Sequence, residues 1–67
     1  MKYYQTLAQA KANNPKARWF YCDKRGVGGQ TRWFCSVRIL KKAQAQLQRS
    51  GYTVEVALRN GFNYFNF

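Results

Sequence analysis

Two neighbouring segments of the chain have a run of apolar residues at their centres, at 19–22 and at 33–35. Residues 17–25 and 31–38 are rich in aromatic and β-branched side chains, which is typical of strands. Gly28 and Gly29 lie between them and suit the two-residue turn that joins antiparallel strands. The pattern therefore predicts a β-hairpin.

An alternating pattern of apolar and polar residues lies near the carboxyl end. Residues 52–58 (YTVEVAL) place large apolar side chains at every second position, which predicts a third strand. Asn60 and Gly61 follow, a dipeptide that favours a hairpin turn. Residues 62–67 are then expected to return as a final strand.

Two other segments have the composition of helices. Residues 3–13 combine Ala, Gln and Lys with apolar side chains at helical spacing, and residues 41–51 repeat that pattern. Gly51 suits the left-handed residue that ends a helix. The start of the second helix is open, since Ser36 can cap a helix or the preceding strand can run on to Ile39.

The predicted elements follow the order α-β-β-α-β-(β). Sixty-seven residues are enough for one domain, so the whole chain, 1–67, is assigned to it. The helix between the second and third strands has to pack against the sheet. The expected fold is a small two-layer α+β domain, with antiparallel hairpins and with helices on one sheet face.

A turn at Gly28 and Gly29 also predicts the hairpin register, with Cys22 opposite Cys35. Alternation then sorts the side chains into two faces. The face expected to lie under the helices holds Phe20, Cys22, Trp33, Cys35 and Val37. The opposite face holds Trp19, Tyr21, Asp23, Arg25, Arg32, Phe34, Ser36 and Arg38.

Positive charge dominates the composition. Twelve Lys and Arg residues stand against only Asp23 and Glu55, which gives a net charge of +10. Such a charge repels itself in a folded chain and favours a partner that supplies counter-charge. The expected partner is therefore nucleic acid or an acidic protein surface.

Aromatic rings and arginines on one open sheet face suit unpaired nucleic acid, because rings stack on bases while guanidinium groups meet phosphates. The hypothesis is a small nucleic-acid-binding protein that favours single-stranded RNA or DNA. Its predicted contact residues are Trp19, Tyr21, Lys24, Arg25, Arg32, Phe34, Arg38, Arg59 and Tyr64. The alternative for these aromatics is burial by a helix, by the tail or by a second subunit.

A second hypothesis uses the same residue types differently. Trp, Tyr and Arg are enriched in the centres of protein interfaces. The chain would then be a small inhibitor or modulator of an acidic protein, of the kind that mobile elements encode.

Other functional classes lack the residues they need. The chain has no His and only two carboxylates on different predicted strands, so no catalytic residue, cofactor or small-molecule substrate is expected. Two Cys without His do not complete a zinc site in one chain. No apolar run approaches about 18 residues, and the amino-terminal segment lacks the pattern of a signal peptide. We expect a cytoplasmic protein with reduced cysteines and no membrane partner.

Overall fold

The structure is a computed structural model that describes residues 2–24, Gly28 and 30–67. Its elements are α1 (Leu7–Asn13), β1 (Trp19–Asp23), β2 (Arg32–Ser36), α2 (Lys41–Arg49), α3 (Val54–Asn60) and β3 (Tyr64–Asn66). The predicted α+β class is confirmed, and the element order agrees except at residues 52–58.

The three strands form one mixed sheet in the order β2-β1-β3. The predicted antiparallel hairpin of β1 and β2 is confirmed, whereas β3 runs parallel to β1. The prediction that residues 62–67 return beside residues 52–58 is therefore wrong. A parallel neighbour needs a crossover connection, and α2 with α3 provides it.

The two edges of the sheet differ. On the outer side of β2, Tyr4 forms an antiparallel bridge with Trp33, with N–H to carbonyl distances of 2.8 and 2.7 Å. The outer side of β3 has no strand beside it among the described residues. Because Asn63 C=O and Phe67 N–H point toward β1, alternation turns the main-chain N–H and C=O of Tyr64 away from the sheet.

The hairpin register differs from the prediction by two residues. Cys22 lies opposite Trp33, and Cys35 lies opposite Phe20, so the two cysteines are not direct cross-strand partners. Both are free thiols. An even shift leaves every side chain on its predicted face, since strand side chains alternate with a period of two.

The shift moves the midpoint of the connection between the strands one residue toward the amino end. Pairing ends at Asp23 and Arg32, whose carboxylate and guanidinium groups are 3.2 Å apart. Residues 24–31 therefore connect the strands, and the Gly28–Gly29 turn falls partly outside the described residues.

The main core lies on the sheet face that was expected to be open. Helices α2 and α3 cover this face, which carries the largest rings of β1, β2 and β3. The buried cluster consists of Trp19, Tyr21, Phe34, Ala43, Leu47, Ala57 and Phe65. The pattern sorted the two faces correctly, but the prediction of which face the following helices cover was wrong.

Helix α1 packs on the opposite face, so helices lie on both sides of the sheet. Ala10 of α1 is buried, and the Lys11 ammonium lies 5.7 Å from the centre of the Phe20 ring. Thr6 caps this helix by accepting a hydrogen bond from the Gln9 N–H at 3.1 Å. The helix begins at Leu7 rather than near residue 3, because Tyr4 is held in the sheet bridge.

Residues 52–58 contain the first turns of helix α3 instead of a strand. The Thr53 hydroxyl accepts a hydrogen bond from the Val56 N–H at 3.3 Å and so caps the helix at its start. Residues at i, i+3 and i+4 then face the core, namely Val54, Ala57 and Leu58. Gly61, with φ of 77°, ends the helix rather than forming a hairpin turn.

Gly51 ends α2 as predicted, with φ of 81°. No atom lies within 4 Å of where a Cβ would stand at Gly51 or Gly61, so only the left-handed backbone opposes a side chain there. We expect Gly61→Ala to lower the free energy of unfolding by about 1–2 kcal/mol. Urea titration checks this, with the exposed Ala12→Gly as a control that acts through helix propensity alone. A neutral Gly61→Ala would contradict the left-handed helix end.

Candidate nucleic-acid interface

The aromatic residues of the predicted binding face are inaccessible. Trp19, Tyr21 and Phe34 are 2%, 0% and 6% exposed. Their rings pack on one another and on Phe65, with 4.9 Å between the Tyr21 and Phe34 centroids. The expectation that they lie on an open face is corrected: they form the layer on which α2 and α3 rest.

The Tyr21 hydroxyl is buried with its hydrogen bonds satisfied. It accepts from the Leu40 N–H at 3.1 Å and lies 2.8 Å from the Ser36 hydroxyl. The Ser36 hydroxyl donates in turn to the Arg38 carbonyl, so Tyr21 donates to Ser36. These bonds hold the connection from β2 to α2, which gives Tyr21 a structural role.

The charged residues of the prediction are distributed over the surface. Lys24, Arg38 and Arg59 are exposed, whereas Arg25 lies outside the described residues. Arg32 is half-buried, and besides its ion pair with Asp23 its guanidinium carbon lies 3.9 Å from the centre of the Tyr3 ring. The structure does not gather this set on one sheet face.

Exposed aromatic side chains do gather elsewhere, beside the open edge of β3. Tyr52, Phe62 and Tyr64 are 38%, 46% and 46% exposed. They line a shallow groove of about 260 Å³, here named the aromatic groove. Its remaining lining residues are Gln46, Leu47, Ser50 and Phe65.

The rings of the aromatic groove are held in place. Tyr52 and Phe62 meet edge to face, with centroids 5.1 Å apart. Tyr64 stacks on Phe20 at 5.8 Å, and its hydroxyl lies 2.6 Å from the Lys11 ammonium. A groove of fixed rings is able to stack flat ligands without first ordering its own side chains.

A second depression, here named the basic groove, lies where β1 begins. It is formed by Pro15, Lys16, Ala17, Arg18 and Val37 and has a volume of about 530 Å³. Both Lys16 and Arg18 are exposed. Their positive charges and the apolar surface of Val37, which is also exposed, suit a ligand with both charged and flat groups.

Asn63 connects the two grooves. Its side-chain amide donates to the Arg18 carbonyl at 2.8 Å, and it stands in the chain between Phe62 and Tyr64. Arg18 in turn donates its main-chain N–H to the Ser36 carbonyl at 3.2 Å. Asn63 therefore joins the segment that carries Phe62 and Tyr64 to the segment that carries Arg18.

The two acidic residues lie at different distances from the two grooves. Asp23 lies at the far end of β1, about 16 Å along the strand from Arg18. Glu55 lies in the first turn of α3, three residues after Tyr52 of the aromatic groove. Positive charge is therefore concentrated at the basic groove, where Lys16 and Arg18 have no acidic neighbour in the chain.

No group of three or more His, Cys, Asp or Glu side chains stands together to hold a metal within the ranges 2–24 and 30–67 or at Gly28. Burial raises the pKa of the Cys35 thiol, which is the opposite of the shift that activates a nucleophile.

No described helix has the length and apolarity that crossing a membrane requires. No family model, curated protein or solved structure matches the chain. The function is therefore inferred from the chemistry of its own surface.

Tyr64 was predicted as a contact residue from the sequence, and it lies in the aromatic groove. Tyr52 was not among the predicted contacts, because alternation placed it on the apolar face of a predicted strand. Phe62 was placed on the aromatic face beside Tyr64 but was not named as a contact. A signal for them was present: each follows the same pattern of Arg, a polar residue and Gly, at residues 49–52 and 59–62.

Proposed function

We propose that this protein binds single-stranded nucleic acid, RNA or DNA, across the aromatic and basic grooves, without catalysing a reaction on it. The observation that carries the proposal is the hydrogen bond from Asn63 to Arg18, which links the segments of the two grooves in a chain of net charge +10. The contact surface is thus moved from the buried face of β1 and β2 to the edge of β3.

Stacking supports the proposal. Unpaired bases expose their flat faces, and each base stacked on a protein ring contributes about 1–3 kcal/mol. The exposed rings of Tyr52 and Phe62 offer such surface, whereas a duplex keeps its base faces covered. The surface chemistry therefore favours single strands over double strands.

Charge supports it independently. Lys16 and Arg18 line the basic groove. Arg38 stands two residues after Ser36, whose carbonyl accepts a hydrogen bond from the Arg18 N–H. A phosphate backbone that crosses this end meets several cations and releases its own counterions. A cytoplasmic location, where nucleic acid is at hand and the two free thiols stay reduced, is part of the same proposal.

Fluorescence anisotropy with a labelled single-stranded oligonucleotide tests the proposal. We expect Tyr52→Ala and Phe62→Ala each to weaken binding by about 1–3 kcal/mol with an unchanged salt dependence. Lys16→Ala and Arg18→Ala are each expected to reduce the slope of log K against log salt by about 0.7. An unlabelled duplex should compete poorly.

Lys24→Ala is the matched control, because Lys24 is an exposed cation at the other end of β1. It removes the same charge and should change the slope less than Lys16→Ala does. Absence of oligonucleotide binding at low salt would contradict the proposal. Salt-resistant binding to an acidic protein that also depends on Tyr52 and Phe62 would favour the inhibitor hypothesis instead.

A further inference from the structure

Two aromatic residues of the aromatic groove, Tyr52 and Phe62, each end a copy of one short motif. Residues 49–52 read Arg-Ser-Gly-Tyr and residues 59–62 read Arg-Asn-Gly-Phe. In both copies the arginine is the last or next-to-last residue of a helix, and the glycine is left-handed, with φ of 81° and 77°. The aromatic residue follows the glycine directly.

The hydrogen bonds of the two copies are also equivalent. The glycine N–H bonds to the carbonyl three residues earlier, in Gly51 to Gln48 at 3.0 Å and in Gly61 to Leu58 at 3.3 Å. The aromatic N–H bonds to the carbonyl five residues earlier, in Tyr52 to Leu47 at 3.0 Å and in Phe62 to Ala57 at 2.8 Å. Both copies are Schellman motifs with the same backbone path.

Because the backbone path is the same, the arginine and the aromatic residue occupy equivalent backbone positions in the two copies. Tyr52 and Phe62 meet in the groove with centroids 5.1 Å apart. Arg49 and Arg59 are both exposed, each three residues before its ring. Each ring of this pair therefore has an exposed arginine three residues before it in the chain, although neither arginine is among the residues that line the groove.

The groove offers room for a base. It is open to solvent and has a volume of about 260 Å³. One base in a strand has one phosphate on its 5′ side and one on its 3′ side, and the two motifs supply one arginine for each.

We propose that the two motifs form one clamp for a single unpaired nucleotide. Its base stacks in the aromatic groove, and Arg49 and Arg59 each contact one of its two flanking phosphates. This inference rests on the proposed function and specifies its smallest ligand, a nucleoside 3′,5′-bisphosphate unit. It also assigns Arg49 a binding role beyond its position at a helix end.

Titration with adenosine 3′,5′-bisphosphate and with adenosine 5′-monophosphate at low salt tests the clamp. We expect the parent protein to bind the bisphosphate severalfold more tightly. In Arg49→Ala and in Arg59→Ala the ratio of the two affinities should fall toward one. Each variant should also reduce the oligonucleotide salt slope by about 0.7.

Lys41→Ala is the matched control, since it removes an exposed cation from the first turn of α2 and should leave the ratio unchanged. Arg49→Lys and Arg59→Lys keep the charge at the helix ends, so they replace any alanine variant that loses helicity. They should retain a ratio above one.

Equal affinities of the parent protein for the two nucleotides would overturn the clamp. An effect of Lys41→Ala as large as that of Arg49→Ala would also overturn it. If groove-dependent oligonucleotide binding persists in either case, the proposed function stands and only the clamp is wrong. If the oligonucleotide does not bind either, both proposals fail.

Discussion

Trp19→Ala is expected to lower the free energy of unfolding by about 3–5 kcal/mol, the usual cost of truncating a buried large aromatic side chain. Trp19 is almost fully buried between the sheet and the helices, and its ring lies 5.9 Å from that of Phe65. A domain of 67 residues has a total stability of about 3–10 kcal/mol. Urea titration followed by circular dichroism should therefore show a largely destabilised chain.

Tyr52→Ala is the control for this variant, because it also truncates a large aromatic side chain but at an exposed position. It should change stability by less than about 1 kcal/mol. If Trp19→Ala folded normally and only weakened oligonucleotide binding, Trp19 would be an accessible stacking residue, contrary to its burial here.

Phe65→Ala is expected to cost a similar amount, about 3–5 kcal/mol. Phe65 is the buried residue of β3, and its ring lies 5.7 Å from that of Tyr21, its partner across the parallel pair. Losing this ring removes the main apolar contact that holds the three-residue strand on the sheet.

Phe62→Ala provides the comparison for Phe65→Ala. The two residues are three positions apart, but Phe62 is exposed in the aromatic groove and makes its ring contact with Tyr52. We expect Phe62→Ala to lose oligonucleotide affinity and keep most of its stability. A stability loss below about 1 kcal/mol for Phe65→Ala would contradict the parallel placement of β3.

Residues 52–58 show why alternation did not predict their structure. Val54 and Val56 fit a strand, but Val54, Ala57 and Leu58 fit a helix equally well over so short a segment. The hydroxyl of Thr53 and the left-handed Gly61 end the segment on both sides and favour the helix. The Asn60–Gly61 dipeptide therefore predicted correctly that the chain turns there. The turn ends a helix, however, and does not join two strands.

The two faces of the hairpin show a second limit of prediction from the sequence. Alternation placed Trp19 and Phe34 together correctly, because an even register shift preserves the faces. Which face is buried depends on where the chain goes after Ser36, and that direction is set by the contacts of the Tyr21 hydroxyl. These are tertiary interactions that no local pattern contains.

The candidate site was predictable only in part. High positive charge and abundant aromatic rings were evident from composition, and Tyr64 and Arg59 were among the predicted contacts. Tyr52 and Phe62 come together because two helices end beside each other, which depends on the α2–α3 arrangement. The duplicated Arg-x-Gly-aromatic pattern was readable in the sequence, but its meaning required the two helix ends.

The open outer side of β3 also bears on self-association. An unpaired strand edge is a template on which a second chain can add, and this is how many proteins begin to aggregate. Here the edge is only three residues long, and each copy carries a net charge of +10. Like charge opposes the approach of two copies, and added salt weakens that opposition. The charge that attracts a polyanion thus also provides the colloidal stability of the free protein.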